Sequence, residues 1–76
     1  MNYNSRKLYS RLKKCPICNC DLQLDDIDFM FKGCQDEYYF CSNENCEMSF
    51  YVKVRYDKAC KHQMIDGDGV VSEIKV

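Results

Sequence analysis

Two cysteine pairs constrain this chain more than any other feature. Cys15-Pro16-Ile17-Cys18 and Cys41-Ser42-Asn43-Glu44-Asn45-Cys46 are separated by 22 residues. Each short loop can aim two sulfurs at one point, and the interval has room for two strands that bring the second pair back to the first. Four thiolates gathered in this way suit one tetrahedral metal ion. The spacing predicts a small zinc-stabilised β-rich domain, a zinc ribbon of antiparallel strands, with Cys15, Cys18, Cys41 and Cys46 as ligands of one structural Zn2+.

Length supports a metal staple. A chain of 76 residues buries only about 60% of the surface exposed by its unfolded form, and such domains are marginal without reinforcement. A structural zinc site contributes on the order of 10–16 kcal/mol of apparent binding free energy that is available for folding. A disulfide framework is the competing explanation. The seven cysteines are an odd number, and the polar, basic stretch 1–14 lacks the apolar core of a secretory signal. No segment is long and apolar enough to suggest a membrane span. The expectation is a reducing, cytoplasmic location.

Cys20, Cys34, Cys60 and His62 are also available to a metal. Cys20 follows Cys18 closely enough to serve as a substitute ligand, whereas Cys60-x-His62 has an uncommon spacing and no evident fourth ligand. The alternative is that all four are spare side chains.

Along the chain, Asn4 or Ser5 can cap a short N-terminal helix running to about Lys13, with Leu8, Tyr9 and Leu12 on one side. Residues 1–14 are read as this basic arm or helix and residues 15–76 as the zinc-ribbon domain. Leu22–Phe31 alternates as a strand, with a parity change at Asp25-Asp26 that predicts a bulge. Residues 33–37 read as a turn, and Glu37–Cys41 and Met48–Tyr56 as strands. Residues 57–63 read as a loop or helical turn. Asp66-Gly67-Asp68-Gly69 is a turn before a last strand at Val70–Val76; it lacks the ligand spacing of a calcium loop.

The net charge is −1, but its distribution is uneven. Arg6, Lys7, Arg11, Lys13 and Lys14 lie in the first 14 residues without an acid, while Asp21 to Glu47 holds eight acids and one lysine. The near-neutral balance argues against general nucleic-acid binding, which scales with the phosphates neutralised. A local basic stripe remains a candidate. On the strand from Met48 to Tyr56, Tyr51, Lys53 and Arg55 share the face opposite Phe50, Val52 and Val54 and form a candidate nucleic-acid or partner surface.

The Cys-Pro-x-Cys knuckle, the aromatic run Tyr38-Tyr39-Phe40 and Cys41-x-Asn43-x-x-Cys46-x-x-x-Phe50 together resemble the Ogr/Delta family of small phage zinc-finger transcription activators. The resemblance spans about Cys15–Tyr56. It implies that the four cysteines hold the metal and that the protein is a late-gene-activator-like transcription regulator, binding host RNA polymerase and promoter DNA in the bacterial cytoplasm. The 14-residue basic extension, the extra cysteines and the acidic segment between the pairs depart from that pattern. They favour an alternative, a zinc-ribbon adaptor or inhibitor that binds a host protein without touching DNA. Catalysis is not expected, because four thiolates leave no open coordination position and neither a small-molecule substrate nor a catalytic residue is evident.

Overall fold

The computed structural model of the chain describes residues 7–76. These form one five-stranded antiparallel sheet in simple meander order: β1 (Leu22–Phe31), β2 (Cys34–Cys41), β3 (Ser49–Arg55), β4 (Lys58–Ile65) and β5 (Val71–Ile74). β1 shifts register between Leu24 and Asp26, the bulge expected from the change in alternation. β1 is an edge strand, and Asp25, Asp26 and Asp28 on it discourage indiscriminate edge pairing.

One face carries the core. Phe50, Val52 and Val54 of β3 are almost completely buried, and Tyr39, Cys15 and Cys41 pack with them. The alternation of β3 therefore places its apolar side as expected, with one exception at its end. Tyr56 lies beyond the strand and is 77% exposed. Tyr56 and Asp57 both have positive φ, 54° and 62°, so Arg55-Tyr56-Asp57-Lys58 is a type I′ reversal that sends the chain directly into β4. Residues 58–63 are thus strand rather than loop or helical turn. At the same end of the sheet, Gly33 (φ 83°) closes the β1–β2 hairpin, and its carbonyl accepts the Asp57 N–H at 2.9 Å. That reversal occupies Lys32-Gly33 alone, and β2 begins at Cys34, earlier than the expected turn at 33–37 allows.

The expected N-terminal helix is not formed over residues 7–13; its proposed caps, Asn4 and Ser5, lie outside the described residues. The segment crosses the core face of the sheet as an irregular strap. Its N–H groups bond to side chains of the sheet instead of to carbonyls one helical turn back. Glu37 of β2 accepts from Tyr9 N (2.9 Å) and Ser10 N (3.3 Å), and His62 of β4 accepts from Arg11 N at 3.2 Å. The Gln35 amide donates to the Lys7 carbonyl, and the Tyr9 hydroxyl to Asp57. Among the described residues there is no helix, and none long and apolar enough to cross a membrane.

Candidate metal centre and its surroundings

Both cysteine loops lie at the end of the sheet opposite the Gly33 and Tyr56 turns. The first is closed by Asn19 N–H donating to the Cys15 carbonyl (2.7 Å) and Cys15 N–H donating to the Cys20 carbonyl (2.8 Å), with Asn19 in the left-handed region (φ 62°). An asparagine tolerates that conformation better than most residues. The second loop turns through Cys46 N–H to the Asn43 carbonyl, with the Asn43 side chain accepting from Asn45 N–H. The loops are joined where Ser42 N–H donates to the Asp21 carbonyl at 3.1 Å and Leu22 pairs with Cys41.

This framework brings the sulfurs of Cys15, Cys18, Cys41 and Cys46 within 4.8 Å of one another. The Cys15–Cys46 and Cys18–Cys41 separations are 3.7 and 3.3 Å. The edge of a tetrahedron with metal–sulfur bonds of about 2.3 Å is about 3.8 Å, so a small tetrahedral cation fits the cluster. Neither separation is that of an S–S bond, which is about 2.05 Å. Cys15 and Cys41 are buried; Cys18 and Cys46 are partly exposed.

Main-chain amides complete the site. The Cys18 thiol is pulled down to about 6, chiefly by the backbone N–H of Cys20 and then by its hydrogen bond with Cys41. Burial pushes the Cys41 thiol up to about 12, against the opposing pull of the Asn43 N–H. Burial also raises Cys46, against the Met48 N–H. One thiolate forms readily, and a cation is needed to ionise its crowded neighbours. Amides donating from two residues beyond a cysteine stabilise and orient the resulting thiolates.

Of the spare metal-ligand candidates, Cys20 adjoins the cluster through Cys18, while Cys34, Cys60 and His62 are not part of it. Cys20 contributes its amide, while its own thiol is pushed up, first by the hydrogen bond to Cys18 and then by burial. Cys34 is buried at the start of β2; Cys60 is exposed, 3.5 Å from the Lys58 carbonyl. His62 is 3% exposed and lies under the strap. Burial lowers its pKa, with the Arg11 charge acting in the same direction and Glu37 opposing. Cys15, Cys18, Cys41 and Cys46 form the only such metal-type group among the described residues.

The candidate binding residues are dispersed. Arg6 lies outside the described residues. Lys7 sits over the Tyr9 ring at 5.1 Å, Lys13 is exposed, and Lys14 pairs with Asp21 at 2.6 Å in an exposed ion pair. Tyr51, Lys53 and Arg55 do share a face, but Asp36 organises it: its carboxylate accepts from both the Tyr51 hydroxyl and Arg55 Nη1 at 3.0 Å. Burial and this hydrogen bond push the Tyr51 phenol up to about 12. The rings of Tyr51 and Tyr38 lie 5.4 Å apart, centroid to centroid.

Sequence reasoning missed the most buried polar group. The Glu37 carboxylate is fully buried, its Oε2 accepting from Tyr9 N and Gln35 Nε2 (2.7 Å) and its Oε1 from Ser10 N and Tyr39 Oη (2.7 Å). Burial, then this bond, raises the Tyr39 phenol. The available signal was the alternation Gln35, Glu37, Tyr39, Cys41, which puts Glu37 on the same side as a predicted ligand. Searches against family models, curated proteins and solved structures find no match to this chain.

Proposed function

We propose that this chain is a zinc-stapled binding module that docks on another protein, with zinc held by Cys15, Cys18, Cys41 and Cys46 as a structural ion. The observation that carries the reading is the contrast between a four-sulfur site with no place for substrate and a sheet face of adhesive composition that no described segment crosses. The strap crosses the core face. The opposite face presents half-buried Tyr38, Tyr51 and Lys53 and exposed Phe40. Aromatic side chains beside an oriented arginine are what protein interfaces concentrate.

Protein is favoured over DNA by charge. Strand register puts Asp26, Asp28, Asp36 and Glu73 on the same face as Tyr38, Tyr51 and Lys53, and Arg55 is already engaged by Asp36. Phosphate binding needs uncompensated cations. The resemblance of the cysteine pattern makes bacterial RNA polymerase the first protein to test, in the adaptor or inhibitor mode. The free thiols suit a reducing cytoplasm.

The test is a binding titration of zinc-loaded protein against purified RNA polymerase and, separately, against duplex DNA over a range of salt. The expected result is saturable polymerase binding, weakened about tenfold or more by Phe40→Ala with Lys53→Ala. Duplex binding with a steep salt slope and no capture of polymerase would overturn the reading and favour a DNA-binding activator.

A further inference from the structure

The structure points to a second binding site, in the notch where β5 leaves β4. β5 pairs with His62–Ile65 only, so the first half of β4 has no partner on that side among the described residues. Beyond Ile74 the chain diverges, and a cavity of about 330 Å3 opens, lined by Arg11, Cys60, Lys61, His62 and residues 73–76. We infer that this notch binds a phosphate monoester, with Arg11, Lys61 and Lys75 around the phosphate and Ile74 with Val76 against the organic group.

Three features support that chemistry independently of the protein-docking reading. First, none of Arg11, Lys61 and Lys75 is in an ion pair with a carboxylate among the described residues; the ion pairs formed are Lys14–Asp21 and Arg55–Asp36. Glu73 is the single acidic side chain of the lining. Second, His62 is 97% buried, a complement of its 3% exposure, and lines the cavity. Its Nε2 accepts the Arg11 N–H, so the neutral ring carries its proton on Nδ1. That ring borders the cavity, where an Nδ1–H can donate to a ligand oxygen. Third, the volume lies at the lower end of the range for small-molecule sites, about 300–1,000 Å3, and its mix of cationic and aliphatic walls matches a compact anion with an apolar substituent. A guanidinium and two ammonium groups complement the doubly charged phosphate better than a single carboxylate.

The experiment is an amide-resolved NMR titration of the zinc-loaded full chain with phenyl phosphate and with inorganic phosphate, at constant ionic strength. The expected result is saturable shifts confined to Arg11, Lys61, His62 and residues 73–76, with phenyl phosphate binding at least threefold more tightly than inorganic phosphate. Lys61→Gln with Lys75→Gln should weaken binding about tenfold, while the control pair Lys13→Gln with Lys58→Gln leaves it unchanged. Preserved spectral dispersion in both variants separates loss of the site from loss of the fold. Shifts that fail to saturate, equal weakening by both pairs, or equal affinity for the two phosphates would overturn the assignment.

Discussion

Glu37→Gln isolates the polar lock beneath the strap. The substitution keeps size and shape but replaces one carboxylate oxygen by an NH2 group. Each oxygen now accepts two hydrogen bonds: Oε2 from Tyr9 N and Gln35 Nε2, Oε1 from Ser10 N and Tyr39 Oη. Whichever way the amide is turned, two donors face another donor. The Tyr39 or Gln35 side chain can rotate away, but the N–H of Tyr9 or Ser10 is fixed by the path of the strap.

Leaving a buried donor unsatisfied costs about 1–3 kcal/mol, and a charge-assisted bond is worth about 1.5–3 kcal/mol. Two lost bonds, partly relieved by rearrangement, give about 3–4 kcal/mol, a large share of the 5–15 kcal/mol typical of a domain. For a chain of this length that is a fall in Tm of very roughly 12–30 °C. The assay is thermal and urea unfolding of the zinc-loaded protein, followed by circular dichroism. A loss below about 1 kcal/mol would refute the view that this carboxylate is a structural acceptor for four donors.

Three further outcomes are expected. One divalent ion binds per chain; chelation or Cys41→Ser unfolds the domain, whereas Cys60→Ser, at an exposed position, is tolerated, as native mass spectrometry and circular dichroism can check. His62 is held neutral under Arg11, with Glu37 the opposing charge and a folded pKa below the usual value, so the unfolded chain binds the proton first. Its stability contribution is therefore complete above about pH 6.5 and lost as pH falls from there through the folded pKa; the urea midpoint should fall more from pH 7.5 to 5.5 in the parent than in His62→Gln, and equal falls would remove this role. Tyr56→Asn should raise stability by about 0.5–1 kcal/mol, because Tyr56 is largely exposed at a positive φ that asparagine adopts more easily; an unchanged or lower Tm counts against strain at this turn.

The parts of the fold legible in the sequence are those written in local spacing. The cysteine pairs, the β1 bulge, the apolar side of β3 and the Asp66–Gly69 reversal all declare themselves within a few residues. β4 does not, because its buried positions include His62 where alternation leads one to look for an aliphatic residue. Pairing with β3 and the Tyr56-Asp57 turn make it a strand. The strap was obscure for the opposite reason: Leu8, Tyr9 and Leu12 fit a helical face, but the acceptors that capture its amides lie 27 to 51 residues away. A buried carboxylate and a buried imidazole outside the metal centre are visible only once those distant segments meet.

That arrangement predicts coupling between the strap and the candidate metal centre. Ser10, whose amide is held by Glu37, lies five residues before Cys15, and Lys13 accepts the Leu22 N–H where the first cysteine loop closes. Freeing the strap therefore loosens the segment that positions Cys15 and Cys18. Glu37→Gln should weaken metal affinity, although Glu37 is no ligand, and thermodynamic reciprocity requires that metal removal loosen the Tyr9 and Ser10 amides. If about 1.4 kcal/mol of the lock is transmitted, competition with a chromophoric chelator will show about a tenfold loss of affinity, with Cys60→Ser unaffected. Hydrogen exchange at Tyr9 and Ser10 with and without metal tests the reverse direction. An unchanged affinity together with unchanged exchange would show that strap and metal centre are independent, despite the short segment that joins them.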